Sequence, residues 1–212
     1  MGMLSRVVFA VALAGALAAA HAQGTAPGAA VVNDTRTPGE EKALNLCSTC
    51  HGPRGASISP MFPNLAAQRP GYLVAQLEAF QAKTREEKVA HDFMYGIAGD
   101  LDAAMIRSIA QYYAAQPPAP GHPGDPALIA TGKSLYEKGV PERSIPPCAS
   151  CHGPQAQGVA DFPRLAGQHA IYVVHQIEYI QQVVRKAPVM HGIVKDLTPA
   201  EMQAIAMYVQ SL

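Results

Sequence analysis

The stretch Cys47-Ser48-Thr49-Cys50-His51-Gly52 recurs as Cys148-Ala149-Ser150-Cys151-His152-Gly153, and the two copies hold all four cysteines of the chain. On a helical turn, positions i, i+3 and i+4 share one face. Cys47 and Cys50 can therefore add to the two vinyl groups of one haem while His51 faces its iron, and Cys148, Cys151 and His152 repeat the arrangement. A disulfide framework does not require a His directly after the second Cys. Neither does a thioredoxin-like redox pair, which also belongs in a βαβ context absent from this sequence. A zinc site would have to join two distant ligand sets and would leave ligands over. Two motifs therefore predict two haem c groups, with Cys47, Cys50, Cys148 and Cys151 as covalent anchors and His51 and His152 as axial ligands.

The duplication extends beyond the motif. The segment FPNLAAQRPGYLVAQLEAF (62–80) reappears as FPRLAGQHAIYVVHQIEYI (162–180), and MYGIAGDLDAAMIRSIAQYYAAQ (94–116) as MHGIVKDLTPAEMQAIAMYVQSL (190–212). The copies are offset by about 101 residues at the motif, 100 in the middle block and 96 in the last, so length changes fall between matched blocks, where loops tolerate them. Between the copies, residues 114–126 contain five prolines and two glycines, a composition that supports neither helix nor strand and reads as a linker. The expected organisation is a leader over 1–22, one domain over 23–115, a linker over 116–126 and a second domain over 127–212.

Both copies read as helical. Apolar residues follow helical spacing in Tyr72–Phe80 and Tyr172–Ile180. Thr198, Pro199 and Glu201 form a helix start, with cap, proline and acid in the favoured order, and Asp102 can cap the matching helix in the first copy. Ile106, Ile109 and Tyr113, and then Ile205, Tyr208 and Val209, would face inward. No period-2 strand is visible. Aromatic residues are few (6%) and Trp is absent, so each small domain has a thin core of its own and a haem is expected to complete it.

The first residues have the layout of a secretory signal peptide: a basic start at Arg6, an apolar run of about 14 residues (Val7–Ala20), and a small-x-small site ending at Ala22. The run is shorter than the roughly 18–20 residues that span a bilayer, and no later segment is long enough. The expectation is export to the periplasm, cleavage after Ala22 and no transmembrane segment in the mature chain. Sixteen basic residues balance sixteen acidic ones, with no Lys/Arg run, which argues against nucleic acid as a partner.

A histidine on one face of each iron leaves the other face to be filled, and electron carriers fill it with His or Met. Met94 and Met190 recur in register, each seven residues before a matched Leu (Leu101, Leu197). By contrast, Met61, Met105 and Met202 align with Asp161, Glu201 and Ile106. The histidines do not recur either: His91 and His191 align with Ala187 and Tyr95, and His169 and His175 with Arg69 and Ala75. Met94 and Met190 are the expected distal ligands, and thioether sulfur would raise both potentials relative to ligation by two histidines.

Taken together, Cys-x-x-Cys-His-Gly, Phe-Pro-x-Leu-Ala-x-Gln, Tyr-x-x-x-Gln and a Met before a capped helix ending Ala-x-Tyr, each present twice over roughly residues 40–212, resemble the cytochrome c₄ family of exported dihaem proteins. The resemblance implies an all-α fold of two tandem class I cytochrome c-like domains, each wrapped around a covalently bound haem. It also implies that the carbonyls of Pro63 and Pro163 orient the imidazoles of His51 and His152, that Leu65 and Leu165 pack on the haem faces, and that Tyr112 and Tyr208 join the terminal-helix contacts. The sequence departs from the family where a Met-Met pair is frequent, with Phe93 and Val189 in the first position. The charged segment KTREEKVAHDF (83–93), shortened in the second copy, reads as a solvated loop, and the second motif has a longer lead-in, EKGVPERSIPPC.

The function these features predict is single-electron shuttling in a respiratory chain, from a membrane donor complex towards a terminal oxidase, with no catalytic residues. An alternative is an electron-transfer subunit of a periplasmic dehydrogenase oxidising sulfide or an alcohol. A dihaem peroxidase would need an iron with a releasable ligand, and a dihaem thiosulfate dehydrogenase a spare cysteine ligand, which this chain does not have.

Overall fold

The structure, a computed structural model, describes residues 35–212; the expected leader and the first residues of the expected first domain lie outside the described residues. In the first half, α1 (Pro38–Lys42) continues through a π-helical stretch, Ala43–Cys47, into the short α2 (Ser48–His51). Helix α3 (Pro70–Gln81) follows, then a second π-helical stretch, Ala90–Met94, leading into α4 (Tyr95–Gly99), and finally α5 (Ala103–Ala114). The second half repeats the plan with α6 (Pro126–Lys138), α7 (Ala149–His152), α8 (Ala170–Gln181), α9 (Pro188–Val194) and α10 (Pro199–Gln210). Among the described residues there is no strand, only three isolated bridges.

The expected caps are present. Asp102 accepts the Met105 amide at the start of α5, and Thr198 and Glu201 form a reciprocal capping box on α10. Thr37 and Glu40 form a second box on α1, and Asp125 caps α6. The predicted inward residues are buried: Ile106, Ile109 and Tyr113 in one half, Ile205, Tyr208 and Val209 in the other.

In each half the first helix crosses the last at a glycine. A Cβ at Gly39 would lie 2.5 Å from Ser108 Cβ, and one at Gly132 would lie 1.9 Å from the Ala204 carbonyl oxygen. Only a residue without a side chain permits that approach. One turn further on, the halves fill the same space differently. Ala43 on the first helix faces Tyr113 on the last, whereas in the second half the large residue is Tyr136 on α6 and the position matching Tyr113 is Val209. Both tyrosines are fully buried, and both hydroxyls find carbonyls, Tyr113 at Ala43 (3.2 Å) and Tyr136 at Gly153 (2.7 Å). Each half thus has its own core.

The proline-rich connection runs along the end of α10. The His122 amide donates to the Gln210 carbonyl at 2.9 Å, and Ala119 is buried. His122 is exposed, and its ring stacks on His169 with centroids 6.1 Å apart. The long lead into the second motif leaves α6 at Gly139 and forms a loop closed by the paired bonds of Val140 and Ile145. Arg143 anchors that loop to Glu201 and to the Asp196 carbonyl.

Candidate functional site: two histidine-lined clefts and the seam between them

In the second motif the amides of Cys151 and His152 both return to the Cys148 carbonyl, at 3.2 and 3.0 Å. One helical turn therefore carries the two thiols and the imidazole. Gly52 (φ +76°) and Gly153 (φ +82°) end these turns immediately after the histidine, in a region L side chains rarely adopt. The chain then loops back, which brings Pro63 and Pro163 over the rings. The Nδ1–H of His51 donates to the Pro63 carbonyl at 2.9 Å, and that of His152 donates to Pro163 at 2.9 Å. A carbonyl can only accept, so each Nδ1 carries the proton and each Nε2 presents a lone pair. Burial lowers the pKa of both imidazoles, partly opposed by the proline carbonyls, so both are neutral donors near neutral pH. His152 Nε2 is buried with no hydrogen-bond partner, which is costly unless a ligand binds there.

Each imidazole borders an apolar cleft. The first, about 1050 Å³, is lined by Cys47, His51, Pro63, Leu65 and Met94 among others. The second, about 670 Å³, is lined by Cys148, Cys151, His152 and Met190. Met94 ends the π-helical stretch before α4 and Met190 lies in α9, so each matched methionine shares a cleft with its half's histidine. Leu165 packs against the second core. All four cysteines are free thiols. Burial pushes Cys47 up and Cys148 up to about 11, unlike the activated thiolates of redox enzymes. Among the described residues no group of three His, Cys, Asp or Glu could hold a metal ion by itself. Free thiols, neutral imidazoles with an open Nε2 and apolar clefts fit two covalently attached haem groups. Those groups supply one-electron Fe(III)/Fe(II) exchange when bound.

The segment over 83–93 departs from the expected solvated loop. Arg85 and Glu87 are buried, at 7% and 2% exposure, while Glu86 and Lys88 between and beside them face outward. Arg85 pairs with Glu87 and donates to Gln76 (3.0 Å) and to Gln176 of the other half (2.9 Å). Arg185, buried on the opposite side, donates to Gln176 (2.6 Å), Gln76 (2.9 Å) and the Tyr72 hydroxyl (2.9 Å). Two guanidiniums and one carboxylate leave a positive excess in this cluster, of which Arg85 and Glu87 line the first cleft. Burial alone would raise the Tyr72 phenol, but Arg185 and Arg85 pull it down; its counterpart Tyr172 is pushed up by burial. This cluster was not anticipated, although Tyr and Gln recur in both copies at these positions.

The histidines without a counterpart stand apart from the clefts. His91 and His175 are exposed, and His191 Nδ1–H donates to the Ile180 carbonyl at 2.9 Å. His169 is buried and its Nε2 lies 3.1 Å from the Ser57 carbonyl of the other half. Tyr208 packs on Tyr136 with ring centroids 5.4 Å apart, and Tyr112 on Tyr113 at 5.1 Å.

Residues 129–212 match the family model described as cytochrome c. Over 180 residues the chain is 39% identical to cytochrome c4 of Thiocapsa roseopersicina, covering 82% of this chain and 91% of that protein. It is 35% identical over 173 residues to the thiosulfate dehydrogenase electron acceptor of Thiomonas intermedia, covering 76% of each. The solved cytochrome c4 of Acidithiobacillus ferrooxidans superimposes with a TM-score of 0.75 at 37% identity, covering 78% of this chain and 98% of that one.

Proposed function

Since the chain belongs to the cytochrome c4 family, a dihaem electron-transfer family, we propose that it carries single electrons in the periplasm between a membrane donor and a terminal oxidase of a respiratory chain. The single observation that carries the reading is the repeated site: a neutral imidazole, fixed at Nδ1, sharing an apolar cleft with a methionine that recurs in register. In this reading Cys47, Cys50, Cys148 and Cys151 would anchor the haems, and His51 and Met94 in one half and His152 and Met190 in the other would hold the irons. Pro63 and Pro163 fix the tautomers, and Leu65 lines its cleft against water. The domains extend over 23–115 and 127–212, joined by 116–126, after removal of a leader over 1–22. Among the described residues no helix is long and apolar enough to cross a membrane.

The chain's own groups keep the sites dry and stiff, so little has to rearrange when the charge on a site changes. With a His and a Met committed to each iron, no position would be left for substrate, and the protein would act as a carrier rather than an enzyme. A second reading has direct support: the likeness to a thiosulfate dehydrogenase electron acceptor favours service to a periplasmic dehydrogenase. Stopped-flow mixing of the reduced holoprotein with oxidase-containing membranes, and of the oxidised holoprotein with a dehydrogenase and its substrate, separates the two. Reoxidation by cyanide-sensitive membranes supports the respiratory reading. A resting high-spin, five-coordinate spectrum would overturn both.

A further inference from the structure

The two halves grip each other through a reciprocal pair of side-chain amides. Gln168 Oε1 accepts the Asn64 amide N–H at 2.9 Å, and its Nε2 donates to the Asn64 carbonyl at 3.0 Å. Gln68 Oε1 accepts the Arg164 amide N–H at 2.7 Å, and its Nε2 donates to the Arg164 carbonyl at 2.9 Å. Both glutamines are buried. They are the glutamines of the repeated Phe-Pro-x-Leu-Ala-x-Gln stretch, so each copy supplies one to the other.

The amide that each glutamine engages is not an arbitrary one. The N–H of Asn64 and the C=O of Pro63 belong to a single peptide unit, and that carbonyl accepts the His51 Nδ1–H. The N–H of Arg164 and the C=O of Pro163 form the matching unit, which accepts the His152 Nδ1–H. Peptide resonance couples the two ends of such a unit. An acceptor on the N–H increases electron density on the carbonyl oxygen, and in a low-dielectric interior successive hydrogen bonds strengthen one another. A stronger acceptor at Nδ1–H makes the imidazole a better donor at Nε2, which favours ferric over ferrous iron.

We propose that Gln168 and Gln68 are positioning residues acting across the seam. Gln168 sets the donor strength of His51 and Gln68 that of His152, so each half adjusts the reduction potential of the other's haem. The inference rests on His51 and His152 being the axial ligands. That reading is checked separately, by the haem content per chain and the low-spin spectrum of the unsubstituted holoprotein.

The test uses holoprotein variants Gln168→Leu and Gln168→Glu, with Gln68→Leu and Gln68→Glu as the mirror pair. NMR of the haem methyl groups during a redox titration assigns each midpoint to its own haem. Gln168→Leu should raise the midpoint of the haem held by Cys47 and Cys50 and leave the other unmoved. Gln168→Glu, which keeps an oxygen facing the Asn64 N–H and adds negative charge, should lower it. The Gln68 variants should act in the same directions on the haem held by Cys148 and Cys151. In the ferrous Gln168→Leu protein the His51 Nδ1–H resonance should move upfield while that of His152 stays in place, a change that mere loosening of the seam would not produce. If Gln168→Leu does not assemble, Gln168→Glu carries the test. A shift on the haem of the substituted residue's own half, a shift of one sign in both variants, or unmoved Nδ1–H resonances would overturn the proposal.

Discussion

The Tyr113 hydroxyl donates to the Ala43 carbonyl at 3.2 Å, closing the first half from its last helix to its first. The ring is buried and lies against Gly55, whose absent Cβ would meet it at 2.7 Å. Tyr113→Phe keeps the ring but strands the carbonyl and removes the hydroxyl's contact with the Cys47 sulfur, so it should cost about 1 kcal/mol. Urea unfolding of the holoprotein, with the midpoint falling at constant m-value, checks this.

The helix crossing at Gly132 has no room for a methyl group, since backbone on α10 lies 1.9 Å from the position it would take. Gly132→Ala should destabilise by about 1–3 kcal/mol through forced separation of the helices. Gly96→Ala is the control, because nothing lies within 4 Å of its Cβ position, and it should be neutral or gain about 0.5–1 kcal/mol. Paired thermal melts distinguish the two.

Arg85 lies buried beside a buried Glu87 whose Oε2 has no partner. Arg85→Leu would strip that carboxylate of its hydrogen-bonded guanidinium and leave only Arg185 nearby to balance it, at a cost of about 3–5 kcal/mol. Guanidinium unfolding of Arg85→Leu, alone and with Glu87→Leu, measures it. The double variant should recover part of the loss, because replacing both charges removes the stranded one.

Met94 and Met190 should each account for one of two thioether ligations. Ferric Met94→Ala and Met190→Ala should each lose about half of the near-infrared thioether-to-iron band, in keeping with one sulfur per haem iron. The double variant should lose all of it. An undiminished band in either single variant would remove that methionine from the ligand set.

Burial works to raise the Glu201 carboxyl, but hydrogen bonds from Thr198 and Arg143 outweigh it and hold its pKa below the usual range. Ionised Glu201 therefore adds stability that is fully present above the ordinary glutamate value of about 4.3 and is lost as pH falls through the depressed folded value. Glu201→Gln should lower stability at pH 7 and flatten the acid limb below about pH 4.3. Urea midpoints measured from pH 7 down to pH 3 test it.

Most of what makes the clefts was legible in the sequence, because it is local or repeated. Cys and His share one turn by spacing, the caps at Asp102 and Thr198 precede their helices, and Met94 and Met190 stand out by recurring in register. What was not legible depends on pairing across about a hundred residues. Arg85 and Glu87 look like solvent-facing charges in a polar run, and only the presence of Arg185, Gln76 and Gln176 around them explains their burial. His169 likewise looks unremarkable until the Ser57 carbonyl meets it. Gln68 and Gln168 were visible as repeated letters, but no periodicity reveals that a side chain serves a peptide in the opposite copy.

The exchange of bulk at the terminal-helix contact, Ala43 against Tyr113 in one half and Tyr136 against Val209 in the other, makes the two copies non-interchangeable despite their repeated sequence. A hybrid that traded leading helices would set two rings in a space made for one, and alanine against valine where a ring belongs. The duplicated units have each settled on their own solution to one volume, and neither can now supply spare parts to the other.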